Sequence, residues 1–580
     1  MSERGARLLA LALGLAVGLC GLRWGVPTRA RLEAFPERLK PTPEIAKRFA
    51  DAWAEMYRGI EQTHKELRSE EPVTYVQGVE SVRPGWDFPP PKLLNSYRSL
   101  LLRSENPDEQ KPFVVLSRMR PWRLEFEPLW VHYGGAFIYP LGAFLEAASL
   151  LRAVHLVSGL EHYLLHPEDM GALYTAGRLF VLAFQLGSLL VLFDLGRRLS
   201  GPAAGFCAAA LFALSPLAIV TTHGLKPHPY SAFWCLAAIR FAYLALESGE
   251  TRSYRLGGLC AGMAAGSNFS FLPVAAVPLL AWALRAHGKR ARAGELRPAL
   301  EAGALAAAVF VVTNPYVIFA RRDFLWETTV YTAARSRPTL AAAAALLGPH
   351  LARQLGLGAQ LLALLGAGAA AASKAPGRRL LALTTLGGAA IVWAGLAFYW
   401  GFVEGPEAVR FFYPFVGLAC LLAADAAFSG LLPRRLGAAL VALALVDSAV
   451  RASPYLAALW RDSGPDGTRA RAAAWIAANA KDGAALGLTR YPQPATTPVF
   501  RYDRYDLVLF ERPDALPPDR RPELLVVDDS GRVAIAASAL ARDYDAPQAF
   551  EPRAYAWGRI WDRSFFADAP MFVYRRKRPA

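Results

Sequence analysis

Long apolar segments constrain this chain more than any other feature. From about residue 171 to residue 450 it returns repeatedly to runs rich in Ala, Leu, Gly and Val, and 54% of the 580 residues are hydrophobic. A bilayer core about 30 Å thick needs roughly 17–25 apolar residues per helix, and lipid admits only helices and closed barrels. The runs are too long and too uniform for alternating barrel strands of about ten residues. The sequence therefore predicts an all-α polytopic membrane protein.

The apolar runs divide the chain into four parts. Residues 1–25 are predicted to be an uncleaved first span, because arginines precede an apolar run that lacks a convincing cleavage site. Residues 26–170 form a mostly polar outer segment with amphipathic interfacial helices, and residues 451–580 form a small soluble α/β domain. About ten helices are predicted in 171–450, which makes about eleven spans. The predicted spans of the membrane body are 171–195, 202–222, 229–246, 255–270, 271–285, 299–319, 346–372, 380–400, 411–429 and 436–450.

The distribution of positive charge decides the topology. A net charge of +16 could suggest a nucleic-acid partner, but the basic residues lie in short clusters between apolar runs, as in cytoplasmic loops. Residues 139–157 could span the membrane or lie in its interface. Only the interfacial placement puts the basic connections of the body in the cytoplasm. We therefore expect the outer segment and the C-terminal domain on the periplasmic or extracellular side of a plasma membrane, such as a bacterial inner membrane, and no nucleic-acid partner.

Regular patterns outside the spans predict a few further elements. Apolar residues recur at three- and four-residue spacing over Thr42–Ser69, which indicates an amphipathic helix. A second helix is predicted over Thr468–Ala480. Short apolar runs between Pro and Asp clusters are typical of strands, and they cover 484–488, 506–510, 523–527 and 571–574.

Two adjacent carboxylates, Asp108 and Glu109, stand near the middle of the outer segment. One reading is structural: Asn106 caps a helix, Pro107 takes its first position, and the acids favour the positive end of the helix dipole. The same placement keeps a carboxylate ionised, which suits a general base that takes a proton from an attacking hydroxyl or amine. The pair is therefore a candidate reaction centre.

Cationic residues form a second group of candidates at the outer ends of the spans. His223, Lys226 and His228 share a short turn, where they could simply reach the interface. Alternatively, a cation there could neutralise the phosphate of a leaving group, or the histidines could bind a metal. Arg410 at the mouth of a span and Arg178 near the start of another are candidates for the same phosphate-binding role.

Other polar clusters carry weaker signals. Glu168 and Asp169, near His162 and His166, are expected to form a solvated loop. The five cysteines all lie inside apolar runs, so the sequence implies neither a disulfide framework nor a thiolate metal site. The sequence does not decide whether a divalent metal ion is a cofactor.

The order of several loose motifs resembles the GT-C superfamily of membrane glycosyltransferases. The best match is the group of dolichyl-phosphate-mannose protein mannosyltransferases and aminoarabinose transferases, over roughly residues 105–430. The motifs that carry the resemblance are Asn106-Pro-Asp-Glu109, Pro128-Leu-Trp-Val-His-Tyr-Gly134, Tyr139-Pro140, Leu195-Gly-Arg-Arg-Leu-Ser-Gly201, Ala213-Leu-Ser-Pro216, Asn314-Pro-Tyr316 and Arg410-Phe-Phe-Tyr-Pro414.

The resemblance implies an inverting transferase that takes a sugar from a polyprenyl-phosphate carrier. Asp108 would be the catalytic base, and Glu109 would support the site or a metal. His223, Lys226 and Arg410 would lie near the carrier phosphate.

Two departures from the family pattern bear on substrate choice. His228 stands where the family usually has an aspartate, and Asn106 replaces a histidine. Because His228 replaces that aspartate, a metal-binding or acceptor-binding role of the aspartate does not carry over to this chain.

Two other classes of function are compatible with a polytopic chain. A transporter or flippase of lipid-linked sugars is expected to have paired halves with charged or broken helices at mid-membrane. The sequence shows neither an internal repeat nor such charges. A non-catalytic assembly protein would leave Asp108 replaceable. The transferase interpretation implies a polyprenyl-phosphate-linked hexose or pentose as donor, and a lipid, glycan or protein as acceptor.

Overall fold

The protein is a mostly helical integral membrane protein. The computed structural model describes residues 2–35, 40–65, 78–82, 91–128, 133–288, 294–322, 324–325, 339–398, 405–462, 464–553 and 566–577. Residues 129–132 of the predicted Pro128–Gly134 motif and residues 66–69 of the predicted outer helix lie outside these ranges.

In the described residues, six α-helices precede the membrane body. They are α1 (Glu3–Leu19), α2 (Pro43–Lys65), α3 (Pro91–Leu102), α4 (Gln110–Arg118), α5 (Gly135–Leu150) and α6 (Leu160–Leu165). Helix α2 confirms the amphipathic helix predicted for the outer segment: Phe49 on its apolar stripe is 1% exposed. Helix α5 has 16 residues, about 24 Å at 1.5 Å per residue, which is shorter than the bilayer core. Whether it spans or lies in the interface stays a prediction.

The body begins with one helix of 34 residues and continues through shorter ones. Its elements are α7 (Pro167–Ser200), α8 (Pro202–Ala213), α9 (Pro216–Thr222), α10 (Pro227–Ser248), α11 (Thr251–Ser267), α12 (Val277–His287), α13 (Leu296–Thr313), α14 (Tyr316–Phe319), α15 (Leu340–Gln354), α16 (Leu357–Ala372), α17 (Pro376–Phe398), α18 (Tyr413–Phe428) and α19 (Arg434–Arg461).

Seven helices of the described residues are long and apolar enough to cross a membrane, or eight if α8 and α9 count as one bent span. The bend between these two is 62°. A new helix starts after it because the Ser215 side chain accepts a hydrogen bond from the Ala218 amide, and Pro216 suits the first helical position. The seven are α7, α10, Phe269–His287, α13, Pro376–Ala397, Ala408–Phe428 and α19.

Three predicted spans are divided in the structure: 202–222 between α8 and α9, 299–319 between α13 and α14, and 346–372 between α15 and α16. Residues 346–372 were predicted as a single helix, but α15 ends at Gln354 and α16 begins at Leu357. Leu355 and Gly356 adopt extended backbone between them, and a side chain on Gly356 would overlap Asp447 of α19. Gly356 thus lies against the Asp447 side chain of α19, and the continuous apolar pattern does not reveal the break between α15 and α16. The count of eleven spans stays a prediction.

A six-stranded mixed sheet follows the last span, together with helices α20 (Thr468–Asn479) and α21 (Asp529–Ala536). The strands β2 (Ala485–Leu488), β3 (Asp506–Phe510), β4 (Leu524–Asp528) and β6 (Met571–Arg575) lie within one residue of the predicted runs. Strand β5 (Gln548–Phe550) was not predicted. With β1 (Val79–Val82) of the outer segment at one edge, the order in the sheet is β1-β3-β2-β4-β6-β5, and β2 runs parallel to both β3 and β4.

The edge strand β1 (Val79–Val82) comes from the outer segment and pairs antiparallel with β3. The outer and C-terminal segments also share one hydrophobic core, to which Phe49, Leu100, Ile476 and Leu486 all belong. The sheet is thus completed by a part of the chain some 400 residues away, and the predicted boundary at residue 451 does not separate two cores.

Candidate active site

The acidic pair lies in a tight turn that precedes α4. The sequence predicted that the helix starts at Pro107 with Asn106 as its cap, but α4 starts at Gln110. The Asn106 side chain instead accepts a hydrogen bond from the Asp108 amide at 3.3 Å, and the Glu109 amide donates to the Asn106 carbonyl at 3.2 Å. In this turn the Glu109 side chain lies in the protein interior and the Asp108 side chain faces a partly open space.

Glu109 is completely buried and forms a two-pronged ion pair with Arg178 of α7. Its two oxygens accept from Arg178 at 2.8 and 2.7 Å, and they also accept from the Leu225 amide and the Ser104 hydroxyl. Arg178 donates further to the carbonyls of Leu22 and Trp24, at 2.7 and 2.8 Å. Such a saturated pair positions the turn rather than meeting a substrate.

Asp108 is surrounded by three cations from separate parts of the chain. Its Oδ1 lies 3.0 Å from Lys111 Nζ, one turn further along the same segment. Its Oδ2 lies 3.0 Å from Lys226 Nζ, just before α10, and 3.4 Å from an Arg410 nitrogen, just before α18. The Asp108 side chain keeps 21% of its surface exposed. The structure thus brings together three of the predicted site residues and adds Lys111.

These cations determine the protonation state of Asp108. Burial by itself raises the pKa of this carboxyl, but the charges of Lys226, Lys111 and Arg410 outweigh it and hold the pKa well below its usual range. Asp108 is therefore ionised at neutral pH. The nearby carboxylate adds to the effect of burial in raising the pKa of the Tyr133 hydroxyl, which stays protonated.

The two histidines of the turn have different surroundings. Both ring nitrogens of His223 face backbone carbonyls, at 2.7 Å from Ile219 and 2.9 Å from Cys20, so this ring joins α9 to the end of α1. His228 is buried, and its ring packs against Phe411 with the centroids 5.7 Å apart. Within the described residues, neither ring nitrogen of His228 has a hydrogen-bond partner.

The acidic pair does not fit a metal ion. The oxygens of Glu109 already accept four hydrogen bonds, and Arg178 balances their charge. A divalent ion at Asp108 would lie next to the positive charges of Lys111, Lys226 and Arg410. Side-chain cations therefore occupy the place at Asp108 that a metal would take.

An apolar cavity of about 190 Å³ lies mainly between α17 and the segment Phe269–His287, and α10 and α18 each add one residue to its wall. Cys235 of α10 and Phe415 of α18 line it; the first lies about 12 Å along its helix from Pro227. Leu383 and Ile391 of α17 also line it and are 40% and 51% exposed, so the cavity opens sideways from the protein.

Of the residues at this site, sequence reasoning missed Lys111 and Ser104. Lys111 stands three positions after Asp108, which is a spacing that allows an ion pair within a helical turn. Ser104 offers no comparable signal, because its contact with Glu109 depends on how the turn folds back.

Comparison with known proteins places the chain near a class of membrane glycosyltransferases. The sequence profile of the dolichyl-phosphate-mannose-protein mannosyltransferase family matches residues 170–316, about a quarter of the chain. The matched segment runs from the start of α7 to the Asn314-Pro-Tyr316 motif, and it contains Arg178, Lys226 and His228. The resemblance predicted from the motifs is confirmed over this segment. No curated protein sequence matches the chain.

Solved structures with a similar arrangement come from bacteria and archaea. ArnT from Cupriavidus metallidurans bound to undecaprenyl phosphate is 13% identical, with a TM-score of 0.42, over 81% of this chain and 93% of that one. The Archaeoglobus fulgidus oligosaccharyltransferase in its apo form is 14% identical, with a TM-score of 0.39, over 81% and 74%. Arabinofuranosyltransferase AftD from Mycobacteria is 14% identical, with a TM-score of 0.38, over 83% and 40%.

Proposed function

We propose that this protein is an inverting glycosyltransferase that moves a sugar from a polyprenyl-phosphate carrier to an acceptor outside the cytoplasm. The observation that carries the proposal is the partly exposed Asp108, with Lys111, Lys226 and Arg410 within 3.4 Å. The family match over residues 170–316 supports it. The carboxylate can take a proton from the acceptor, and the cations beside it can bind the phosphate of the donor.

The carrier phosphate would compete with Asp108 for its cations. In the unliganded site Asp108 is a weak base, because three cations lower its pKa. A phosphate that attracts Lys226 and Arg410 would weaken their hold on Asp108 and raise its pKa. The base would thus become stronger when the donor is bound.

The chemical step then balances within the site. An acceptor hydroxyl or amine attacks the anomeric carbon while its proton passes to Asp108. The bond from that carbon to the phosphate oxygen breaks, and the electron pair leaves with the polyprenyl phosphate. Lys226 and Arg410 stabilise the charge of this leaving group, and displacement in line inverts the anomeric centre.

Two further features of the site support a lipid-linked donor. The cavity beside Cys235 and Phe415 is apolar and open to the side, which suits the first units of a polyprenyl chain. His228, two residues after Lys226, is buried with unpartnered ring nitrogens among the described residues. A sugar hydroxyl or a phosphate oxygen would satisfy them.

The test is sugar release from a panel of polyprenyl-phosphate sugars, hexoses and pentoses, by the purified full-length protein with mixed acceptors. We expect turnover with the wild type and a loss of about 10²–10⁴-fold for Asp108→Asn, the range for a positioned general base. Asp466→Asn, at an exposed position after the last span, is the matched control and should keep full activity. Equal turnover in both variants would remove Asp108 from the mechanism.

The basic ends of the body helices support the proposed orientation. Asp194, near the end of α7, pairs with Arg197, Arg198 and Arg240, and it lies about 24 Å along the helix from Arg178. Under the positive-inside rule this end is cytoplasmic. A cysteine introduced at Asp466 is then expected to react with a membrane-impermeant maleimide in intact cells or spheroplasts, and reaction only after lysis would contradict the orientation.

A further inference from the structure

Two histidines converge on one carboxylate oxygen beside the start of the longest helix. His155 Nδ1 lies 3.0 Å from Asp169 Oδ2, and His162 Nε2 lies 2.8 Å from the same oxygen. The three donor atoms lie within 4.8 Å of one another. Within the described ranges, no other three His, Cys, Asp or Glu side chains meet in this way.

The three residues come from three consecutive elements. His155 follows the reversal after α5, in which Arg152 adopts a positive φ of 58°. His162 belongs to the short helix α6, and Asp169 to the first turn of α7. The Tyr163 hydroxyl also donates to the His155 carbonyl at 3.1 Å, which holds the loop against α6. An ion bound here would join the end of α5 to the start of α7.

We propose that His155, His162 and Asp169 bind a divalent transition-metal ion, of which zinc is the best fit. Imidazole and carboxylate ligands together suit zinc rather than calcium or magnesium, which prefer oxygen ligands alone. Ligands at about 2.0–2.1 Å from a tetrahedral ion lie roughly 3.3 Å apart. The two nitrogen–oxygen distances of 2.8 and 3.0 Å need to increase only slightly.

Because the proposed ligands are exposed, the ion can reach the site from solvent and keeps one coordination position free. The side chain of His155 is 67% exposed, that of His162 34% and that of Asp169 21%. The two imidazole nitrogens must also reach the tetrahedral separation from each other, and His155, the most exposed of the three side chains, is the one placed to adjust. Water completes the coordination on the open side, as in three-ligand zinc sites.

The ordinary alternative is a hydrogen-bonded cluster, in which each neutral imidazole donates one N–H to Asp169. The two cases differ in a solution measurement. A metal site takes up one ion per chain. A hydrogen-bonded cluster binds no ion.

The experiment uses the full-length protein in detergent, treated with a chelator and then titrated with zinc chloride alone. We expect one zinc ion per chain. His155→Asn, His162→Asn and Asp169→Asn should each weaken binding at least about tenfold, since even the loss of an outer-sphere partner costs 10–100-fold. His287→Asn, at an exposed position at the end of α12, is the matched control and should bind like the wild type.

A second readout keeps the proposal testable if a variant is less stable. Cobalt chloride should give visible absorption bands in the wild type and the control, and none in the three ligand variants. Zinc should likewise raise the unfolding temperature of the wild type and the control only. Absence of stoichiometric zinc, or the same affinity in the ligand variants as in the control, would overturn the proposal. None of these outcomes depends on glycosyltransferase activity.

Discussion

Asp108 is a carboxylate whose basicity is set by its neighbours rather than by its position in the sequence. Its partners come from three segments, and each contributes one positive charge. The result is an ionised group with a pKa well below the usual range. Removal of one of these charges should therefore make Asp108 a stronger base that is protonated more readily.

This consequence can be tested with Lys226→Met. A base acts in its ionised form, so kcat/KM falls as the pH drops through its pKa in the free enzyme. In the wild type that acidic limb should lie below the pH range of an ordinary carboxyl group, because the cations lower the pKa of Asp108. In Lys226→Met the limb should move to higher pH, besides the loss of activity from weaker phosphate binding. Lys226→Arg keeps the charge and should leave the limb in place; an unmoved limb in Lys226→Met would show that Asp108 is not the titrating base.

At the level of elements, the site depends on how helix ends are joined. Asn314 ends α13, and its side chain accepts from the Gly135 amide at 2.8 Å and donates to the Gly266 carbonyl at 3.0 Å. It thus connects the end of α13 with the start of α5 and the end of α11. Gly134 belongs to the same contact, because a side chain there would overlap the Gly266 carbonyl.

We expect Asn314→Ala to destabilise the protein by about 1–3 kcal/mol, the cost of a buried amide left without its partner. Thermal unfolding of the purified protein in detergent measures this effect. Asn479→Ala removes an exposed amide at the end of α20 and should change stability by less than about 0.5 kcal/mol. Equal unfolding temperatures for the two variants would show that Asn314 does not join the helices.

At the level of the whole molecule, the C-terminal segment is tied to the turn that carries Asp108. Arg469 of α20 is 4% exposed and donates to Glu105 at 2.7 Å, three residues before Asp108. It also lies 3.4 Å from Asp462 and donates to two backbone carbonyls. Burial and then Glu105 raise the pKa of the Asp462 carboxyl well above its usual value, and the positive charge of Arg469 opposes that rise.

Arg469→Met should cost about 3–5 kcal/mol, since it breaks the largely buried ion pair with Glu105. We expect a lower unfolding temperature and, because Glu105 supports the turn, a lower kcat as well. Arg512→Met replaces an exposed arginine before a short turn of the same segment and should affect neither. A stable Arg469→Met protein with full activity would contradict the proposed link between the C-terminal segment and the site.

The membrane body and the four principal strands of the C-terminal segment could be predicted because their signals are local. An apolar run long enough for a bilayer, or a short run between turn residues, is visible within one stretch of sequence. Strand β1 and the break at Gly356 could not be predicted this way. The first is defined by its pairing with β3, and the second lies inside a continuous apolar run, at a glycine that contacts the Asp447 side chain of α19.

The sequence by itself determined the class of protein, the positions of most helices and the residue types of the site. Hydrophobicity and the distribution of charge are sums over neighbouring residues, so they can be evaluated from the sequence alone. Only the tertiary structure decided that Glu109 supports the turn, that Lys111, Lys226 and Arg410 meet at Asp108, and that His223 faces the backbone. Hydrogen bonds and ion pairs act over about 3 Å, and it is the packing of the helices that brings distant residues within that range.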